Sequence, residues 1–287
     1  MKDSDLHLEF GLQSDLFWDP LNEGIVKAAA QSGFTFFEIW AHRPWFDLSS
    51  PSLASETRRI VEEQGMYVRS VHAPCEEGWD ISSEDEGVRK KSVREVILAI
   101  ENCRKMGGRI VVVHPGRAIT SEGEAADAEY NRRIQKSITS FAELMRAAAE
   151  NDIRVAVENQ WANEVGGRET HFLRLLETLD PAVFGICFDS SHANITPGTF
   201  EMFQRITHPI ITTHLSDNHG TYDEHKPPFT ASIDWERVFR LILNNGFRGP
   251  WLLEVTNGGN DPLVVLEKMQ KSVEKLKIFL PRIAKNL

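Results

Sequence analysis

The sequence has little cysteine: Cys75, Cys103 and Cys187 are the only three among 287 residues. The count is odd and no pair has zinc-ribbon spacing, so a disulfide framework is excluded and a reduced compartment is expected. No run approaches the ~18 apolar residues of a membrane span, and the opening MKDSDLHLEF has no apolar signal core. The expectation is a cytoplasmic protein with no membrane partner. Positive charge is scarce too, with 32 Lys and Arg against 42 Asp and Glu and a formal net charge of −10. A nucleic-acid interface needs clustered Lys and Arg, so no nucleic-acid partner is expected. Linkers, low-complexity tracts and composition breaks are also missing. Residues 1–287 therefore read as a single domain.

What is present is an alternation. Short β-rich runs lie at 6–12, 36–40, 67–73, 109–115, 154–159, 184–192, 210–217 and 250–255. Several are near-continuous apolar runs, as parallel strands covered on both faces should be. Amphipathic helical patterns lie between them, among them 86–107, 130–151, 168–179, 234–245 and 261–279. Eight strand–helix units fit a (β/α)8 TIM barrel, an α/β fold that takes ~250 residues. The longer loops, at 41–52, 75–86, 116–128, 160–168 and 217–232, then all fall on the face that carries active sites. Trp18, Trp45, Trp79 and Trp161 lie in loops on that face and Trp40 ends the second strand. Each could cap the barrel core; together they could wall a pocket for a sugar's apolar face. The amphipathic run 267–280 either closes the barrel or meets a second subunit, which leaves a homo-oligomer open.

Polar residues cluster where the strands end. His72, His114 and Glu158 end strands three to five, and Asp189 lies in strand six with His192 just beyond. His214 and Asp217 end strand seven, Glu254 ends strand eight, and Asp223 and His225 follow strand seven. Glu158 in VAVEN and Glu254 in LLEV are carboxylates inside apolar strands. A buried charge needs a partner. A shared divalent cation answers that need for all of them at once. Internal His–Asp and Glu–Arg pairing without metal is the alternative. Glu158, Asp189, His214 and Glu254 offer mostly oxygen, which suits Mn, Mg, Co or Zn. Additional metal at His72, His114, His192, Asp223 and His225 would make the centre multinuclear and more zinc-like. Arg117 and Lys226 are lesser candidates for substrate contact. Nothing in the sequence around Cys75 lowers its pKa recognisably.

The segments VVVHPG (111–116), VAVEN (155–159), CFDSSHAN (187–194), THLSDN (213–218), the stretch from DEHKPP to IDW (223–235) and GPWLLEV (249–255) resemble the xylose isomerase-like TIM-barrel superfamily. It holds sugar isomerases and epimerases and the endonuclease IV type of apurinic-site nuclease. The ketose 3-epimerase branch implies one divalent metal on Glu158, Asp189, His214 and Glu254. The two glutamates would be the catalytic acid/base pair of a sugar isomerase or epimerase working through an enediolate. His192 would contact substrate, and His72, His114, His225, Trp18, Trp40 and Trp161 are the further substrate-binding candidates. The endonuclease branch implies a zinc phosphodiesterase using all nine positions, from His72 to Glu254. A lyase or dehydratase on a related polyol or glycoside starts from the same proton abstraction. The acidic loop CEEGWDISSEDEG (75–87) and the segment NQWANEVGGR (159–168) speak against DNA. FTAS (229–232) stands where the epimerase pattern carries glycines, so that loop should depart from the family geometry.

Overall fold

A computed structural model describes residues 6–287. Eight parallel strands run β1 (Phe10–Gln13), β2 (Phe36–Trp40), β3 (Tyr67–His72), β4 (Ile110–Val113), β5 (Arg154–Glu158), β6 (Phe184–Asp189), β7 (Ile210–His214) and β8 (Trp251–Leu253). The sheet order is β7-β6-β5-β4-β3-β2-β1-β8. Its ends meet through a bridge between Leu215 and Leu253, with Leu215 N–H donating to the Leu252 carbonyl at 3.0 Å. The result is the expected single-domain TIM barrel.

The outer helices are α1 (Glu23–Gln31), α2 (Leu53–Glu63), α3 (Glu86–Lys105), α4 (Gly123–Glu150), α5 (Glu169–Leu176), α6 (Ser190–Ile195), α7 (Thr199–Phe203), α8 (Trp235–Asn244) and α9 (Pro262–Lys285). Most of the buried apolar residues form one core between the sheet and these helices. A smaller cluster of Ile110, Val112, Ala156, Cys187 and Ile211 fills the barrel interior. Gly11 makes room inside: a Cβ there would sit 2.2 Å from the Phe36 ring. α9 buries Leu266, Met269, Val273, Leu276 and Leu280 and so packs along the barrel. Among the described residues, no helix is long and apolar enough to cross a membrane.

Several boundaries differ from the sequence reading. The first strand starts at Phe10, not at 6. The sixth stops at Asp189, because its carboxylate accepts the His192 N–H at 2.5 Å and caps α6. α4 starts at Gly123, seven residues before the apolar periodicity shows itself, because GEAADAE is rich in good helix formers.

Strand parity positions the site. Side chains alternate across a sheet, so inward positions recur every second residue. Ile110 and Val112 point inward with Ala156 and Cys187. The next inward positions on β4, β5 and β6 are His114, Glu158 and Asp189. The barrel interior is thus apolar below and polar at the C-terminal mouth.

One buried arginine ties the mouth together. Arg133, on α4, donates to Asp80 Oδ2 at 2.7 Å, Ser82 Oγ at 2.9 Å, the Ala118 carbonyl at 2.6 Å and Glu129 Oε1 at 3.1 Å. It joins the loops that follow β3 and β4. Removing one partner of a buried ion pair costs about 3–5 kcal/mol. Arg133→Ala should destabilise the protein by about that much in urea unfolding; a loss under about 1 kcal/mol, the range of an exposed pair, would contradict this role.

Candidate metal centre

Glu158, Asp189, His214 and Glu254 converge. One donor atom from each lies within 4.8 Å of the others, and all four residues are buried. Glu158 Oε1 is 3.3 Å from His214 Nδ1, and Glu254 Oε2 is 3.0 Å from the same nitrogen. Asp189 Oδ2, His214 Nδ1 and Glu254 Oε2 nonetheless make no hydrogen bond. Three orphaned polar atoms facing one point are costly unless something binds there. A divalent cation fits the donor set of three carboxylates and one imidazole.

The imidazoles are oriented for the same purpose. His214 Nε2 donates to Glu38 Oε1 at 2.8 Å, so Nδ1 keeps the lone pair that faces the cluster. His72 Nδ1 donates to the Ala73 carbonyl at 2.9 Å and His192 Nδ1 to the Asn159 carbonyl at 2.9 Å. His225 Nδ1 donates to the Glu254 carbonyl at 3.2 Å. In each case the other nitrogen points at a carboxylate. His72 Nε2 is 3.2 Å and His114 Nε2 3.1 Å from Glu158 Oε2. His192 Nε2 is 3.4 Å and His225 Nε2 2.6 Å from Asp223 Oδ2. A bare nitrogen and a carboxylate oxygen are both acceptors. A proton or a cation must lie between them.

The buried charges act strongly on one another. Burial pushes Asp189 up to about 7, and the charges of Glu254, Glu158 and Asp223 add to that against the pull of His192. Burial opposes ionisation of Glu254 as well, but His214 and His225 outweigh it and hold the group down at about 2. Glu158 is held well below the usual range, where burial is overcome by His214 and His114. His192 is raised to about 10; burial resists, but Asp189 and Asp223 prevail.

These groups surround a cavity of about 290 Å³, near the small end of ligand pockets. Trp40 and Trp161 line it, with His72, His114, His192, His225 and Arg117. Trp18 does not reach this lining. It is 55% exposed and packs on Trp45, ring centroids 6.0 Å apart, at the end of a stack that continues through Trp40 and His42. Lys226 pairs with Glu224 at 2.6 Å and also lies outside the cavity wall. Asp217 is spent on the following loop: it accepts N–H bonds from Thr230, Ala231, Ile233 and Trp235. These bonds hold the FTAS segment, where Phe229 takes a left-handed φ of 66° without glycine. His225 is also left-handed, at φ 45°. Strain of this kind persists where the surroundings enforce it.

Three site residues, Glu38, Gln13 and Asp15, were not singled out from the sequence, and a fourth, Cys75, was read differently. Glu38, in FFEIW, carries the same signal as Glu158 and Glu254, a carboxylate within an apolar strand. Gln13 donates to both Glu38 Oε1 at 3.0 Å and Glu254 Oε1 at 2.7 Å, and nothing in its local sequence marks it. Asp15 lines the cavity, and burial pushes it up to about 7. Cys75 corrects the reading of an unperturbed thiol. Burial would raise it, but His114 and His72 beside it bring it down to about 7.

The family model of the xylose isomerase-like TIM barrel matches residues 26–277. The chain belongs to that family. It is 21% identical over 255 residues to an L-ribulose-5-phosphate 3-epimerase of Escherichia coli, covering 87% of each chain. It is 22% identical over 287 residues to a probable endonuclease 4 of Thermotoga neapolitana, covering 90% of this chain and 96% of that one. A D-tagatose 3-epimerase-like protein superposes with a TM-score of 0.79 at 24% identity, over 97% of this chain and 99% of the other. The family resemblance read from the motifs is thereby established, and relatives of both branches are present.

Replacing a carboxylate that orients a metal-bound histidine typically weakens binding about 10–100-fold. Glu38→Gln should therefore raise the Kd for Mn or Zn by about that factor in calorimetric titration. An unchanged Kd would show that the Glu38–His214 bond does not serve a metal.

Proposed function

We propose that this protein is a metal-dependent epimerase or isomerase acting on a sugar or sugar derivative. The observation that carries this is the pair Glu158 and Glu254. They flank one buried donor cluster from strands set three apart around the barrel, and both are held anionic. Glu158, Asp189, His214 and Glu254 would hold the cation. When bound, it supplies Lewis-acid stabilisation of the negative charge that develops on a substrate oxygen. The protein's own groups then do the rest. One glutamate takes a proton from the substrate carbon, and the other, after acquiring a proton from solvent, delivers it from the opposite side. His192, His225 and Trp161 orient the substrate, and Trp40 offers it an aromatic face. The epimerase relatives support this chemistry.

A second reading, zinc-dependent phosphodiester hydrolysis, is favoured by one observation. His192, Asp223 and His225 form a further donor group beside the first, and His72 and His114 share Glu158. Against it stands the rim of the cavity, where Glu164 joins Glu76 of the acidic 75–87 loop, a poor seat for a phosphate backbone.

Exchange in D2O separates the two. Protein loaded with Mn should incorporate deuterium at carbon in at least one sugar of a broad ketose panel. Glu158→Gln and Glu254→Gln should each slow that exchange about 10²–10⁴-fold. Absence of exchange throughout, together with chelator-sensitive cleavage of an abasic duplex, would overturn the proposal in favour of the hydrolase.

A further inference from the structure

Two buried side chains of the cavity wall, Asp15 and Gln160, stand outside the candidate metal groups. Asp15 lies in the short helical turn Ser14–Phe17 that follows β1, and Gln160 lies two residues past the end of β5. Asp15 is 9% exposed and Gln160 1%. Yet Asp15 Oδ1 and Gln160 Nε2 make no hydrogen bond. Buried polar atoms are normally satisfied, so each calls for a partner that enters the cavity. β1 and β5 are four strands apart in the closed ring of eight, so the two residues approach the cavity from opposite sides. Asp15 feels the charge of Glu254, and Gln160 follows Glu158 along the chain. Each glutamate of the acid/base pair thus has one unsatisfied polar neighbour.

We infer that Asp15 and Gln160 bind hydroxyl groups on opposite sides of an uncharged, unphosphorylated sugar, and so set the substrate class of this site. That class rests on the epimerase or isomerase reading and sharpens it. One orphaned atom is a carboxylate oxygen and the other an amide N–H donor. A hydroxyl both donates and accepts, so two hydroxyls of one sugar satisfy both. The same wall offers a phosphate no seat. Phosphate recognition leans on Arg and Lys. Among the described lining residues Arg117 is the only one of either type, and its Nη1 already donates to the Cys75 carbonyl. Glu76, Glu164 and Asp15 stand in the lining and repel a dianion. Trp40 and Trp161 meet the apolar C–H faces between the hydroxyls. Both Asp15 and Gln160 are positioning residues: anchoring the sugar on two sides holds its reacting carbon between Glu158 and Glu254.

The unsubstituted protein tests the class first. Loaded with Mn in D2O, it should exchange free pentuloses and hexuloses with a kcat/KM about 10-fold or more above that for the same ketoses carrying a terminal phosphate. A preference for the phosphate esters would overturn the inference. Asp15→Leu and Gln160→Leu should each raise KM for the best free ketose about 10–100-fold, with kcat changed much less. An unchanged KM in either variant, or a fall confined to kcat, would overturn the assigned role. Where no ketose exchanges, calorimetric titration with xylitol and sorbitol decides, because these polyols have no carbonyl to react. They should bind the unsubstituted protein more tightly than sorbitol 6-phosphate does, and less tightly in both variants. That binding pattern without any exchange would defeat the functional reading alone. Exchange that favours phosphate esters would defeat this inference alone. Absence of both exchange and polyol binding would defeat both.

Discussion

Crowded negative charge at the barrel mouth is the constraint on which the rest of the site depends. Glu158, Asp189 and Glu254 are buried together around one imidazole, and hydrogen bonding does not satisfy all of their oxygens. Ionised carboxylates in such a place are very costly without a cation. The surrounding structure is arranged around that cost. Glu38 fixes the tautomer of His214, three backbone carbonyls fix those of His72, His192 and His225, and Gln13 braces Glu38 against Glu254. Each of the four imidazole contacts leaves the other ring nitrogen turned toward the carboxylates.

The fold serves this arrangement through its parity. Inward side chains are apolar low in the barrel, where Val112 and Ala156 pack, and polar one step higher, where His114 and Glu158 stand. The loops above are tied down by groups outside the chemistry. Arg133 joins two of them, and Asp217 organises a third by accepting four bonds from it. The rigid mouth lets His225 be held at a strained left-handed position.

Much of this was legible in the sequence, for physical reasons. Parallel strands buried on both faces read as apolar runs, so RVAVEN and PWLLEV exposed both the strands and the carboxylates inside them. The nine strand-end donors could be named because a closed barrel brings all strand ends together. Glu38 is equally visible in FFEIW, as a carboxylate inside an apolar strand. Gln13 and Asp15 gave no signal, because the groups they act on, Glu38 for Gln13 and Glu254 for Asp15, lie far away in the sequence. The environment of Cys75 was hidden for the same reason: His114, which perturbs it, arrives from another strand. Trp18 shows the converse: its loop lies on the correct face, but its ring packs on Trp45 and does not line the cavity.

Anomalous diffraction from crystals of manganese-loaded protein tests the central claim most directly. The account predicts one strong peak bonded to Glu158, Asp189, His214 and Glu254 together, with His214 bound through Nδ1 and its Nε2 still on Glu38. No peak at that position, with the four side chains instead hydrogen-bonded to one another, would contradict it.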